Sequence, residues 1–494
     1  MGSGPSGITA AKHALEAGFD VTVFEAGDRL GGQWDATASH SGVWPGMHTN
    51  TSRAMTAFSD FPAPATYPLH PTAEQVHAYL ESYARAFGVV DRIRFATRVE
   101  DVRPGWTVDG ERFDAVIVAS GRFRRPRRPP VVAGFRGEVI HAFDYPGAAP
   151  FRDRVTLVYG NGISGLEIAS DLAPHTQVVS AFRKPRYVIQ KVVDGVSSDW
   201  QWYTLFGALE RRALPPDEWS CRQRERILRV AGHPADFGAP EPSEDLRAAG
   251  LSLCQEYLAQ VRDGSIVCRP GIASIDGRTV RFDDGSAHTV DAIICATGYD
   301  LDLPYLSAAV RDRLGRELAL YQRTFHPDVA GLGVIGQFLA QGPYLPLLEL
   351  QARWIAAVWS GAVRLPDERA MRHAAAQPRP PLDAHNALAL TLSTELGVAP
   401  EPTDWRELCE PLLFGPMLPP RYRLCGPGAT PEAREQLAQQ LDASPRAPLD
   451  PSDIEALRSF GWDAAAARIS GQTVSAAQPA GACRPARSLR PGSA

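Results

Sequence analysis

A chain of 494 residues, 44% of them hydrophobic, is long enough to bury a sizeable core and predicts two to four domains. Its formal charge of −5 is small for that length and argues against nucleic acid as a partner. Seven cysteines without a C-x-x-C pair fit a reducing cytoplasm and argue against zinc or disulfide chemistry, and no apolar run reaches the roughly eighteen residues a membrane span needs.

In chain order, the first element is a glycine-rich turn, Gly2-Ser3-Gly4-Pro5-Ser6-Gly7. It opens a helix predicted over about 6–16 and leads to the strand Val21-Thr22-Val23-Phe24. Such a turn normally follows a buried apolar strand at the centre of a parallel sheet, yet only Met1 precedes Gly2. The expectation is therefore either a reading frame that starts upstream of Met1 or a first unit lacking its central strand.

Residues 35–70, rich in Ser, Thr and Pro, predict a long ordered loop over a bound cofactor. A helix over 72–87 follows, then strands ending in the apolar run Ala115-Val116-Ile117-Val118-Ala119-Ser120-Gly121. The basic cluster Arg122 to Arg128 reads as a solvated connection between domains. A second turn, Gly160-Asn161-Gly162-Ile163-Ser164-Gly165, does have its strand, Val155-Thr156-Leu157-Val158-Tyr159, and the stretch 291–298 repeats the pattern of 115–121.

These repeats predict an α/β fold with two Rossmann-like dinucleotide-binding domains. The expected organisation is a first unit over 1–147 and a second over 148–298 with a helical insertion near 200–262. The chain would then return to the first unit over 299–362, continue as a helical extension over 363–469 and end in a disordered tail over 470–494.

In each turn the first glycine permits the bend, the second lets a pyrophosphate approach the backbone, and the third lets helix pack on strand. The phosphates then rest on a helix N-terminus. Glu25 and Arg183 stand at the same offset from Gly2 and Gly160, at the tip of the second strand of each unit. A carboxylate there accepts ribose hydroxyls, as the adenosine half of FAD requires, whereas an arginine, with Lys184 beside it, pairs with the 2′-phosphate of NADPH. The first site therefore reads as an FAD site and the second as an NADPH site, with Gly2, Gly4, Pro5, Ser6, Gly7 and Glu25 in one and Gly160, Gly162, Ser164, Gly165, Arg183 and Lys184 in the other.

Between the turns lies Phe135-Arg136-Gly137-Glu138-Val139-Ile140-His141-Ala142-Phe143-Asp144-Tyr145, which matches FxGxxxHxxx(Y/F). With Gly31-Gly32-Gln33-Trp34, Thr49-Asn50-Thr51-Ser52, Ala57-Phe58-Ser59-Asp60-Phe61-Pro62, Ala296-Thr297-Gly298-Tyr299 and Glu349-Leu350-Gln351-Ala352-Arg353-Trp354, the chain resembles the flavin-containing monooxygenases. The resemblance spans roughly residues 1–400. It implies an FAD domain interrupted by an inserted NADPH domain, hydride transfer from NADPH to FAD, and addition of dioxygen at flavin C4a. The resulting peroxide would deliver one oxygen to a small organic substrate.

The resemblance further places Gly32, Gln33, Trp34, Thr49, Thr51 and Gln337 at the flavin and makes Asn50 the candidate catalytic residue. His141 is expected to hold the linker between domains. The implied partners are a small-molecule substrate and dioxygen, with no metal, membrane or nucleic acid, and a homodimer is allowed. Nitrogen or sulfur oxygenation is expected, because His48 and Asn50 stand where the Baeyer–Villiger branch carries Arg and Asp. Ketone oxygenation, an uncoupled NADPH oxidase and a truncated non-catalytic relative are the alternatives, while a disulfide reductase would need a redox cysteine pair. Trp200, Trp202 and Tyr203 read either as core or as the lining of an access channel.

Overall fold

The apolar run Val155–Tyr159 becomes the middle strand of a five-stranded parallel sheet. The sheet order is Ile266–Arg269, Gln177–Ala181, Val155–Tyr159, Ala292–Cys295, Glu138–His141, and its central strands are buried on both faces, as their unbroken Val/Ile/Leu content requires. Strand pairing thus draws Glu138–His141 into the second unit, upstream of residue 148 where that unit was expected to begin. The computed structural model describes residues 1–38, 41–315, 318–380, 382–443 and 449–471; the tail expected over 470–494 falls almost wholly outside them.

The first unit is built on two parallel pairs, Val23–Phe24 with Ile93–Arg94 and Val116–Val118 with Leu332–Val334. Met1 and Gly2 lie between these pairs. The Gly2 N–H donates to the Phe24 carbonyl at 2.8 Å, and the Ala119 N–H donates to the Met1 carbonyl at 3.1 Å. Because Leu332–Val334 returns to pair with Val116–Val118, the first unit is discontinuous around the second, as expected.

The predicted helices form close to their expected limits, at Pro5–Glu16 and Ala73–Ala86. Thr72 caps the latter in a reciprocal box: its backbone N–H donates to Gln75 Oε1 at 2.9 Å and its hydroxyl accepts from the Gln75 N–H at 3.3 Å. The helix Leu345–Trp359 packs against Pro5–Glu16 on one side and His385–Leu396 on the other, with Trp354 fully buried. Its charges Glu349 and Arg353 are buried too, which is tolerable only because each is paired.

The insertion is helical at Leu205–Ala213, Pro216–Ala231 and Tyr257–Arg262. Beyond residue 363 the extension contributes further helices, among them Glu432–Asp442 and Pro451–Ser459. No helix among the described residues is long and apolar enough to cross a membrane. The basic cluster contributes Arg125–Pro126 to an antiparallel ribbon with Tyr299–Asp300, and both strands of that ribbon connect the two units. Arg124, Arg125, Arg127 and Arg128 are exposed, whereas Arg122 turns inward.

Candidate functional site

A cleft of about 830 Å³ runs between the two units, walled by both glycine turns. Gly2, Gly4, Pro5 and Ser6 line it from one side and Gly162 and Ser164 from the other. Gly7 and Gly165 do not reach it, because their task is packing. A Cβ on Gly7 would sit 1.8 Å from the Gly2 carbonyl oxygen, and one on Gly165 would sit 2.0 Å from that of Gly160. Gly162 is the converse case, since a Cβ there meets nothing within 4 Å. That open space beside a helix N-terminus suits a pyrophosphate.

Glu25 forms part of the wall at the adenosine end of the first turn. Its Oε2 accepts from the Ser3 backbone N–H at 2.7 Å and its Oε1 from the Gly27 N–H at 2.8 Å, so the carboxylate also fixes the turn itself. Gly32, Gln33 and Trp34 form a single 3₁₀ turn whose first glycine backs directly onto Gly4. All three line the cleft, as do Thr49, Asn50 and Thr51.

The loop 49–52 has no regular structure and is held residue by residue. The Thr49 N–H donates to the Pro71 carbonyl at 2.8 Å, and the Thr49 hydroxyl donates to the Thr51 carbonyl at 2.7 Å. Within it Asn50 Oδ1 is buried without a hydrogen-bond partner, and both polar atoms of the Gln337 side chain are in the same condition. An amide oxygen left unpaired in the cleft wall is costly, so the Asn50 site fits a polar ring system such as the isoalloxazine, whereas Gln337 itself stands outside the cleft wall and only its neighbour Gly336 lines it. The first cradle therefore suits FAD on the protein's own atoms.

On the NADPH side, Arg183 and Lys184 are exposed and stand outside the cleft wall. Arg186, missed in the sequence, lines the cleft and has no carboxylate partner among the described residues. Burial lowers its pKa from the usual arginine range. Of the three cations that follow the strand Gln177–Ala181, Arg186 alone reaches the cleft, and a basic residue three past the matched position was the available signal. Arg122 also lines the cleft, with Nη1 buried and unpartnered.

His141 is a buried tether. Its Nδ1 accepts from the Phe143 N–H at 3.0 Å, which leaves Nε2 to donate to the Gly298 carbonyl at 3.1 Å. Burial lowers its pKa and favours this neutral form. The ring thereby ties the two connecting segments together, as the sequence suggested. His141 also lines the cleft, whereas His48 does not and lies with Nδ1 2.8 Å from the Gly46 carbonyl.

Comparison with known proteins agrees with this geometry. The family profile "Flavin-binding monooxygenase-like" matches residues 1–380. The chain is 29% identical over 492 residues to Flavin-containing monooxygenase 3 of Macaca mulatta, covering 90% of this chain and 91% of that one. It is 28% identical over 494 residues to the human protein named Putative dimethylaniline monooxygenase [N-oxide-forming] 6, covering 89% and 91%. Among solved structures it resembles S-allyl-L-cysteine S-oxygenase from Allium sativum, with a TM-score of 0.58 and 23% identity over 94% of this chain and 97% of that one. With paired dinucleotide units, a matching cleft and a family match over most of its length, the chain belongs to the flavin-binding monooxygenase-like family and is an FAD-containing, NADPH-dependent monooxygenase.

Proposed function

We propose that the enzyme transfers one oxygen atom to nitrogen or sulfur in a small organic substrate, consuming NADPH, a proton and dioxygen and releasing NADP⁺, water and the oxide. The observation that carries this reading is the uncharged Asn50 in the cleft wall, its Oδ1 buried and unpartnered, with His48 outside that wall. A Baeyer–Villiger oxygenase would be expected to place an arginine and an acid in this loop, and neither is present at 48 or 50. The N-oxide-forming relative supports the same reading.

FAD, when bound, supplies the oxygen-activating chemistry and NADPH the hydride; the protein's part is placement, hydrogen bonding and exclusion of water. Gly2, Gly4, Pro5, Ser6 and Glu25 would hold the adenosine diphosphate half of FAD, with Gly32, Gln33, Trp34, Thr49 and Thr51 around its ring. Gly162 and Ser164 would hold the NADPH pyrophosphate, while Gly160 and Gly165, which stand outside the cleft wall, let the turn close behind them. Asn50 is the residue that bears on the reacting atoms, through an amide with both a donor and an acceptor to offer. Six free thiols among the described residues fit a reducing compartment.

A panel of amines, sulfides and ketones, scored by product mass, tests the reaction class. Oxides of nitrogen or sulfur are expected, and an ester from a ketone as the main product would overturn the reading. Asn50→Ala should cut product formed per NADPH about tenfold or more, the loss of one well-placed hydrogen bond in a dry site, while flavin content stays that of the parent. On the cofactor side, Arg186→Ala should raise the KM for NADPH about 10- to 100-fold, and Arg183→Ala should narrow the preference over NADH. An unchanged preference in the double variant would remove these arginines from the phosphate site.

A further inference from the structure

Two residues from Asn50, the Ser52 backbone N–H donates to Asp199 Oδ2 at 2.6 Å. Asp199 is 4% exposed and belongs to the NADPH unit, 147 residues further along the chain. Its other oxygen, Oδ1, accepts from the Ser197 hydroxyl at 2.6 Å, so the carboxylate cannot swing away without breaking a second bond. Trp200 Nε1 donates to the Ser52 hydroxyl at 2.9 Å, and His70 Nδ1 lies 3.2 Å from the Thr49 carbonyl. Asn50 is therefore held on both flanks, and its downstream flank is held from the other domain.

The segment that delivers Asp199 is itself anchored at its far end. It is a tight hairpin, Val192–Val193 against Val196–Ser197, turning through Asp194 and Gly195 at positive φ. Lys191, at its start, is ion-paired with Glu167 on the helix Ile163–Leu172 that the second glycine turn opens. Gln255 clasps Val192 through both backbone groups, at 2.9 and 3.2 Å. One strap of ten residues thus joins the NADPH helix to the flavin loop. Neither Asp199 nor Trp200 lines the cleft.

We propose that Asp199, assisted by Trp200, is a positioning residue that sets Asn50 from the NADPH unit, so that oxygen transfer stays coupled to NADPH oxidation only while the two units are in register. A charge-assisted bond to a backbone N–H fixes the loop more firmly than a neutral one would, and a small displacement of a catalytic amide costs much of its effect. The inference rests on the reading of Asn50 above.

The test compares Asp199→Ala, Asp199→Asn, Trp200→Phe and Asn50→Ala with the parent as FAD-loaded proteins. It measures flavin stoichiometry, thermal melting, anaerobic flavin reduction by NADPH, and hydrogen peroxide released per NADPH. Asp199→Ala should keep its flavin and its reduction rate within about twofold, yet raise the peroxide leak about tenfold, the equivalent of one charge-assisted bond. Asp199→Asn retains an oxygen for the Ser52 N–H and should restore most of the coupling. An Asp199→Ala protein as tightly coupled as the parent overturns the proposal, as does Asp199→Asn leaking as much as Asp199→Ala. Should Asp199→Ala fail to fold, Trp200→Phe decides: it removes only the indole N–H, and a leak equal to the parent's overturns the proposal. A coupled Asn50→Ala protein sinks the Asn50 reading instead, whereas a leaking Asn50→Ala beside a coupled Asp199→Ala sinks the strap alone.

Discussion

Gly162→Asp is expected to abolish the use of NADPH while leaving a folded yellow protein. Gly162 caps the helix Ile163–Leu172 at φ −69 and ψ 171, an extended backbone conformation any residue adopts. No protein atom comes within 4 Å of a Cβ built there. Aspartate is moreover a preferred N-cap, so the unliganded helix should lose nothing and gain a few tenths of a kcal/mol over glycine. The same carboxylate would occupy the space and the N–H groups that a pyrophosphate needs, and would repel it. Anaerobic flavin reduction by NADPH should fall at least about a hundredfold, with dithionite still bleaching the flavin normally. Gly165→Ala makes the control, because its Cβ would lie 2.0 Å from the Gly160 carbonyl oxygen and must distort the turn. It should lose NADPH use together with melting temperature. If Gly162→Asp keeps parental reduction kinetics, the second glycine turn is not a nucleotide cradle.

The contrast between these two glycines marks what the sequence made legible. Local rules placed the turns, the helices Pro5–Glu16 and Ala73–Ala86, and the strands that end beside the cleft, because glycine spacing and unbroken apolar runs act over a few residues. Asn50 and Gln337 came from the family resemblance instead, and the structure gives each a buried side-chain oxygen without a partner. Local rules did not find Arg186, whose neighbours Arg183 and Lys184 looked better matched in spacing but point to solvent.

Nor could local rules give Asp199 or Arg423 a task, since each acts on a residue more than a hundred positions away. Trp200 shows the ambiguity best: read as core or channel, it packs partly buried in the core behind the flavin loop and donates its indole N–H to Ser52. Strand pairing likewise assigned Glu138–His141 to the second sheet, a long-range fact that the run of residues before His141 did not announce.

Arg423→Met is expected to be the most destabilising single change in the extension. The guanidinium donates through Nε to the Ser59 hydroxyl at 2.7 Å, and through Nη2 to Asp60 at 2.7 Å and to Glu349 at 3.0 Å. Lys12, 1% exposed, meets the same Asp60 oxygen, Oδ2, as Arg423 does, and His13 Nε2 lies 3.7 Å from Glu349. One buried cluster thus joins the first nucleotide helix, the motif around Ser59, the helix Leu345–Trp359 and the extension. Burial alone would push the Glu349 carboxyl upward, but His13 and the fields of Arg423 and Arg353 outweigh it and hold its pKa below the ordinary range. Methionine fills much of the volume of the arginine stem but leaves the buried Glu349 and the partly buried Asp60 facing only Lys12 and His13. Removing one partner from such a cluster costs about 3–5 kcal/mol, mostly the penalty of the stranded charge. Glu349→Gln in the same protein should therefore recover part of the loss, because the amide still accepts from the Ser59 N–H, now 2.6 Å from Oε2, and no longer needs a cation. Melting of the FAD-loaded single and double variants measures both effects. If Arg423→Met melts with the parent, or if the double variant loses the sum of the two single losses, the cluster is not what fastens the extension to the flavin unit.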